Sequence, residues 1–156
     1  MKTIKIMLTM FITGISYVAL AQTQSVSPGV PTEVMAAIKN DDASALQQLI
    51  TKDNVNTCYG DYSVLSQAVR YNAKKCFDQL IAEGADVNKS CNGYVPPLMH
   101  AAKYGHLDMV KILVSKGADI NYKYSGTYQP ADGETPLTYA EKNNQPAVAD
   151  YLRSLK

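Results

Sequence analysis

Pro96-Pro97-Leu98-Met99-His100-Ala101-Ala102-Lys103-Tyr104-Gly105-His106, then Leu107-Asp108-Met109-Val110-Lys111-Ile112-Leu113-Val114, then Gly117-Ala118-Asp119-Ile120-Asn121, is the stretch that decides the fold. It reads as two short helices separated by a glycine and closed by a second one. A proline in the first turn costs nothing, because the amide there has no helical partner. Gly105 and Gly117 end their helices in a left-handed conformation open to glycine without a steric penalty. Val110, Leu113 and Val114 recur at helical spacing and mark the face that must be covered.

The same unit stands 33 residues earlier, where Leu65 and Gly84 match Leu98 and Gly117. It runs Ser63-Val64-Leu65-Ser66-Gln67-Ala68-Val69-Arg70-Tyr71-Asn72, Cys76-Phe77-Asp78-Gln79-Leu80-Ile81 and Gly84-Ala85-Asp86-Val87-Asn88. A last copy opens with Thr135-Pro136-Leu137-Thr138-Tyr139-Ala140 and ends in Val148-Ala149-Asp150-Tyr151-Leu152. A degenerate first copy is visible in Val34-Met35-Ala36-Ala37-Ile38-Lys39, Ala45-Leu46-Gln47-Gln48-Leu49-Ile50 and Val55-Asn56. Asn72 and Asn144 take the place of Gly105, and asparagine is the next most tolerant residue there. No single unit can bury its apolar face alone, so neighbours must close it.

These motifs resemble the ankyrin-repeat family, whose period is about 33 residues with two helices per unit. Thr135-Pro136-Leu137, Gly105-His106, Gly84-Ala85-Asp86 and Gly117-Ala118-Asp119 carry the resemblance. The expected fold is an all-α solenoid of about four helix-turn-helix repeats with short finger loops. The repeats fall near residues 32–56, 57–88, 89–121 and 122–156, with the outer two acting as caps. The histidine place of the family's Thr-Pro-Leu-His tetrad holds Ser66, Met99 and Thr138, which predicts one weakened hydrogen bond per repeat.

Residues 1–21 read as a cleavable signal peptide. Lys2 and Lys5 precede an apolar run from Ile6 to Leu20, and Ala19-Leu20-Ala21 offers a cut after Ala21. The run is short for a bilayer span and no stop-transfer residues follow. Residues 22–31 form a flexible leader. The expected location is periplasmic or secreted, with no membrane association after cleavage. Removing Lys2 and Lys5 turns fifteen basic residues into thirteen, against fourteen acidic, a net charge of −1. Such a surface is a poor match for nucleic acid, whose binding rests on many phosphate-neutralising cations.

The residues give no constellation for catalysis. No nucleophile stands beside a base, Gly60, Gly93 and Gly133 are isolated turn glycines, and His100 and His106 lie on different faces with Gly105 between them. Neither histidine has convergent partners for a metal. The expectation is a binding protein and not an enzyme, without cofactor or metal.

Cys76 falls in the apolar stripe of a second helix and reads as a small buried hydrophobe. Cys58 and Cys91 each stand seven residues before a repeat leucine. An oxidising compartment favours pairing them. Stacked helices are ~8–10 Å apart, though, and a disulfide needs Cα atoms within ~7 Å. Both the bridged and the open form stand at this level.

In ankyrin-like stacks the contacts lie at finger tips and just before the helix-ending residue. Carried over, these places are Arg70, Tyr71, Lys103, Tyr104, Lys142 and Asn143 on the helices, and Tyr59, Tyr62, Asn92, Tyr94, Val95, Asp132 and Glu134 on the fingers. The last finger carries six extra residues around Tyr124 to Gln129. Its Tyr124 and Tyr128, beside Ser125, Gly126 and Thr127, have the composition of antibody-type binding loops. Tyrosine and arginine are common interface anchors.

The resemblance implies a monomeric protein-binding module. Small exported bacterial proteins of this kind serve as immunity proteins or inhibitors of a toxin or enzyme. Others accompany periplasmic oxidative-stress enzymes as accessory proteins or scaffolds. A small-molecule binder is the weakest reading, because ankyrin faces are shallow grooves and small ligands need enclosure.

Overall fold

The computed structural model describes residues 29–156. The expected signal segment 1–21 and residues 22–28 of the expected leader lie outside the described residues. Among the described residues the chain is an all-α solenoid of four helix pairs. The inner helices are α1 (Thr32–Lys39), α3 (Val64–Arg70), α5 (Pro97–Tyr104) and α7 (Pro136–Lys142). The outer helices are α2 (Ala43–Leu49), α4 (Lys74–Ala82), α6 (Leu107–Ser115) and α8 (Pro146–Ser154). Inner helices stack α1 on α3, α3 on α5 and α5 on α7. The outer row stacks α2 on α4 and α6 on α8.

The core runs through all four pairs. Ile38, Leu46, Leu65, Phe77, Leu80, Leu98, Met109, Val110, Leu113 and Leu152 are buried in one continuous cluster. Burying a Leu, Ile or Phe side chain contributes ~1.5–3 kcal/mol, so the seams between repeats supply most of the stability of helices this short.

Positive φ values fall where the sequence predicts left-handed helix ends: Asn72 (53°), Gly105 (73°), Asn144 (56°), Gly84 (87°) and Gly117 (88°). Asp41 (50°) holds the same place in the first pair. Its carboxylate oxygen also accepts from the Cys76 amide at 3.0 Å. Cys76 lies in the first turn of α4, whose N-cap, Ala73, provides no side-chain cap. One repeat thus caps a helix of the next.

A second cross-repeat clamp explains the recurring Val-Asn. Asn56 Nδ2 donates to the Gly84 carbonyl (3.3 Å) and its Oδ1 accepts from the Asp86 amide (2.7 Å). Asn88 does the same to Gly117 (3.1 Å) and Asp119 (3.0 Å). The asparagine of one unit brackets the Gly-Ala-Asp turn of the next.

The weakened tetrad needs correcting. Ser63 caps α3 by accepting from the Ser66 amide (3.1 Å), and the two hydroxyls are also bonded (3.1 Å). Thr135 and Thr138 form a reciprocal capping box, with the Thr135 amide donating to Thr138 Oγ1 at 2.8 Å. The first-position hydroxyls of Ser63 and Thr135 therefore do the capping, joined by a fourth-position hydroxyl in each, and of these three only the helix carrying Met99 forgoes it. That helix begins at Pro96-Pro97, where fewer amides need a partner.

The fingers are more ordered than short loops. The second finger is a small antiparallel hairpin, β1 (Cys58–Tyr59) and β2 (Tyr62–Ser63). Cys58 and Cys91 are bonded, with Cα atoms 5.6 Å apart. The fingers approach more closely than the helices behind them. Asn92 Nδ2 adds a bond to the Gly60 carbonyl at 2.9 Å.

The insertion in the last finger folds back onto its neighbour. Tyr124 is 1% exposed and Val95 2%. Tyr124, Val95, Met99, Ala131 and Tyr139 form a second small core. The Tyr124 hydroxyl donates to the Gly93 carbonyl (2.6 Å) and accepts from the Tyr128 amide (2.9 Å). Gly126 lies so close to the Gly93 carbonyl and the Tyr124 ring that a Cβ there would collide with both.

Two tests follow from this packing. Asp41→Ala is expected to lower stability by ~1–2 kcal/mol in urea melts, the usual cost of a lost cap. Asp41→Asn keeps both the acceptor and the tolerance of positive φ, and is expected to lose less than half of that. Gly126→Ala is expected to displace the insertion, seen as faster amide exchange at Thr127 and Tyr128 with little change in the outer helices. Unchanged exchange at both residues would refute the close packing.

Candidate protein-binding face

One tyrosine from each of three successive fingers joins a row. Tyr62 and Tyr94 meet edge to face with ring centres 4.9 Å apart, and Tyr94 and Tyr128 are 4.8 Å apart. Such pairs contribute ~0.5–1.5 kcal/mol beyond their area burial. Tyr62 is set by the hairpin, Tyr94 by the turn after Cys91, and Tyr128 by the folded insertion. Burial pushes the Tyr94 hydroxyl above the ordinary tyrosine range, so it stays protonated.

The inner helices place a cation over this row. The Arg70 guanidinium sits 4.1 Å from the centre of the Tyr62 ring. Lys103 Nζ lies 5.4 Å from the Tyr128 ring and donates to its hydroxyl at 3.1 Å. It also lies 5.3 Å from the Tyr104 ring. Lys142 reaches Glu134 (2.9 Å) and the Pro130 carbonyl (3.1 Å). The Thr138 hydroxyl and the Lys142 ammonium hold the Glu134 carboxyl below its usual range.

Tyr71 and Tyr104 stand open to solvent, 46% and 38% exposed. Lys39 Nζ lies 5.6 Å from the Tyr71 ring. Tyr104 is stacked between the two histidines, 6.4 Å from His100 and 5.9 Å from His106. His100 is 4% exposed and also faces Tyr62 (5.7 Å) and Tyr94 (6.2 Å). Neither of its ring nitrogens has a hydrogen-bond partner among the described residues. Burial, and then Arg70 and Lys103, push its pKa down to about 3.

Of the residues expected from sequence, Tyr62, Arg70, Tyr94, Lys103, Tyr104 and Tyr128 come together in this patch. Tyr59 is half-buried, packed on the main core behind the hairpin. Asn92 ties finger to finger. Asp132 is exposed beyond the row, and Asn143 is half-buried with its amide donating to the Tyr139 carbonyl (2.8 Å). Val95 and Tyr124 are corrections: both are sealed inside the second core, where no partner can touch them. Val95 was expected from the family's finger position and Tyr124 from the composition of the insertion, but the six extra residues supply enough chain to fold onto Gly93 and cover both.

Sequence reasoning missed Lys39 and His100. Lys39 stands two residues before left-handed Asp41, as Arg70, Lys103 and Lys142 stand before Asn72, Gly105 and Asn144. The degenerate first copy hid that register. His100 looked isolated because its neighbours Tyr62 and Tyr94 come from different fingers.

Residues 34–124 and 96–156 match the family model described as ankyrin repeats (3 copies). The chain belongs to the ankyrin-repeat family. Ankyrin repeats are protein–protein interaction modules and typically non-catalytic. No curated protein matches the chain. Among the described residues no helix is long and apolar enough to cross a membrane, and no group of three metal-ligating side chains converges. The surface hollows at Gly105–Met109 and at Glu141–Arg153 are open clefts at outer-helix ends, the first bordered by His106.

His100 gives this ankyrin domain a pH signature. The unfolded chain takes up a proton near pH 6.5, whereas the folded chain keeps His100 neutral down to about pH 3. The unfolded state thus binds more protons between those values, and this part of the stability is lost as pH falls. His100→Gln is expected to show a smaller drop in Tm between pH 7 and pH 4 than the parent. Parallel Tm curves for the two proteins would show that His100 is not held neutral.

Proposed function

We propose that this ankyrin domain is an exported protein-binding module that holds a partner against its inner helices and fingers, acting as an immunity protein or inhibitor of a toxin or enzyme. The observation that carries this reading is the open tyrosine and cation patch centred on Tyr104. Its aromatic rings are already positioned by one another, so little ordering entropy remains to be lost on binding. Rigid aromatic anchors of this kind dominate protein interfaces.

Export is favoured by the signal-like segment 1–21 and by the Cys58–Cys91 bond, since disulfides persist in oxidising compartments. The free cysteine, Cys76, suits that setting. It is buried, and burial together with Asp41 pushes its thiol up to about 11, leaving little reactive thiolate. Inhibition by occlusion needs a fixed surface and no chemistry, which matches a face without a convergent catalytic group. An accessory role beside a periplasmic enzyme uses the same face, and gene neighbourhood separates the two.

The test is capture from the exported fraction with the chain beginning at Gln22, beside a Tyr71→Ala/Tyr104→Ala variant. The parent is expected to retain a stoichiometric partner that the variant loses by tenfold or more. Equal retention by both proteins would rule out this face as the binding surface.

A further inference from the structure

The reading above leaves open what the partner must present, and three features of the face bear on it. The first is the placement of cations. Lys39, Arg70 and Lys103 occupy one position in three successive inner helices, each two residues before the left-handed helix end. Each lies over a tyrosine ring, and none has a carboxylate partner among the described residues. The ion pairs that do form are Lys74–Asp108, Lys142–Glu134, Arg153–Glu141 and Arg153–Asp150. Lys142, at the fourth equivalent position, is the neutralised member of the column. Other lysines such as Lys75 and Lys116 are also without a carboxylate partner among the described residues, so what sets Lys39, Arg70 and Lys103 apart is their shared repeat position on the inner helices and the tyrosine ring beside each.

The second feature is His100. It is a buried, neutral imidazole with an idle donor and an idle acceptor, below Tyr62, Tyr94 and Tyr104. A buried polar group without a partner is costly, but the ring nitrogens are shielded from solvent, so His100 adds no charge to the face and does not itself touch a partner. The third is spacing. Helices in a stack are ~8–10 Å apart. An extended polyproline-type segment advances ~3.1 Å per residue with three residues per turn, so side chains three apart share one face at ~9 Å.

We propose that, given a protein-binding role for this face, its partner presents an acidic linear segment, with Asp or Glu side chains three residues apart set against Lys39, Arg70 and Lys103. Complementary charge of this kind governs encounter rate and register more than bulk affinity. The cation–π contacts hold each charge in place before the partner arrives, and the tyrosine rings receive the apolar residues between the acids. Arg70 supplies the planar fork that takes a carboxylate in two parallel bonds. A polypeptide is favoured over nucleic acid because three cations are few for a phosphate backbone, whose binding scales with the number of phosphates neutralised.

A random twelve-residue peptide library displayed on phage, selected on the chain beginning at Gln22, tests this directly. Selected peptides are expected to be enriched in Asp and Glu at an interval of three, and to weaken as salt rises. Against the best synthetic peptide, a Lys39→Gln/Arg70→Gln/Lys103→Gln variant is expected to lose tenfold or more in affinity by fluorescence anisotropy. Lys75→Glu/Lys116→Glu, which changes cations elsewhere, is expected to bind as the parent does. Lys39→Glu/Arg70→Glu/Lys103→Glu is expected to select Lys- and Arg-rich peptides instead, and circular dichroism checks that both triple variants fold.

Three results overturn the proposal: selected peptides without acidic enrichment, acidic peptides that bind the triple Gln variant undiminished, or a twelve-nucleotide single-stranded DNA that binds the parent as tightly as the peptide. Peptides that lack acids yet fail on Tyr71→Ala/Tyr104→Ala would overturn the acidic partner alone and leave the binding face standing.

Discussion

Each helix pair exposes an apolar face that only the next pair can cover, and everything else in the molecule is arranged around that dependence. Helices of seven to nine residues are too short to persist in water by themselves. Their stability comes from seams, where Leu65, Leu98 and Leu137 of the inner row and Phe77, Met109 and Val148 of the outer row are buried. The polar devices at the seams repeat with the same period. Asn56 and Asn88 each clamp the turn of the following unit, and Asp41 caps a helix in its neighbour. These bonds satisfy backbone groups that a lone pair of helices would leave bare, so apolar burial and polar satisfaction favour the same stacking register.

The stacking also makes the proposed binding face. Because successive units are related by a nearly constant step, a residue type that recurs at one repeat position becomes a line on the surface. Lys39, Arg70, Lys103 and Lys142 become a column in this way, whereas Tyr62, Tyr94 and Tyr128 stand at different distances from their repeat leucines and are brought into a row by the finger folds. The fingers hold the row rigid by means the helices do not provide: a two-residue hairpin, the Cys58–Cys91 bond, the Asn92 link to Gly60, and the Tyr124 anchor on Gly93. A surface fixed by its scaffold suits recognition.

His100 shows how the two roles meet. Its place on α5 is dictated by the stack, yet its surroundings are finger tyrosines and helix cations. The result is a neutral imidazole with unused hydrogen-bonding capacity directly beneath the exposed Tyr104. The stack tolerates this at some cost in stability, and the cost falls on the part of the molecule that faces outward.

Helix pairs, their ends and the repeat were all determined by sequence alone, because capping and left-handed termination depend on residues within about two turns of one another. Leu98 with Gly105 and Val110 with Gly117 are local signals. Arg70 with Lys103 and Tyr71 with Tyr104 were also legible, since the period assigns each pair one position per repeat. What only the tertiary structure decided was which of them meet. Tyr124 has the composition of a contact loop and Val95 the family's finger position, yet a hydroxyl bond from Tyr124 to a carbonyl thirty-one residues away draws the insertion inward over both. Lys39 and His100 joined the face only when the register of the degenerate first unit and the path of the fingers were fixed. Contacts between residues thirty or more positions apart depend on how units stack, and no pattern within one unit encodes that geometry.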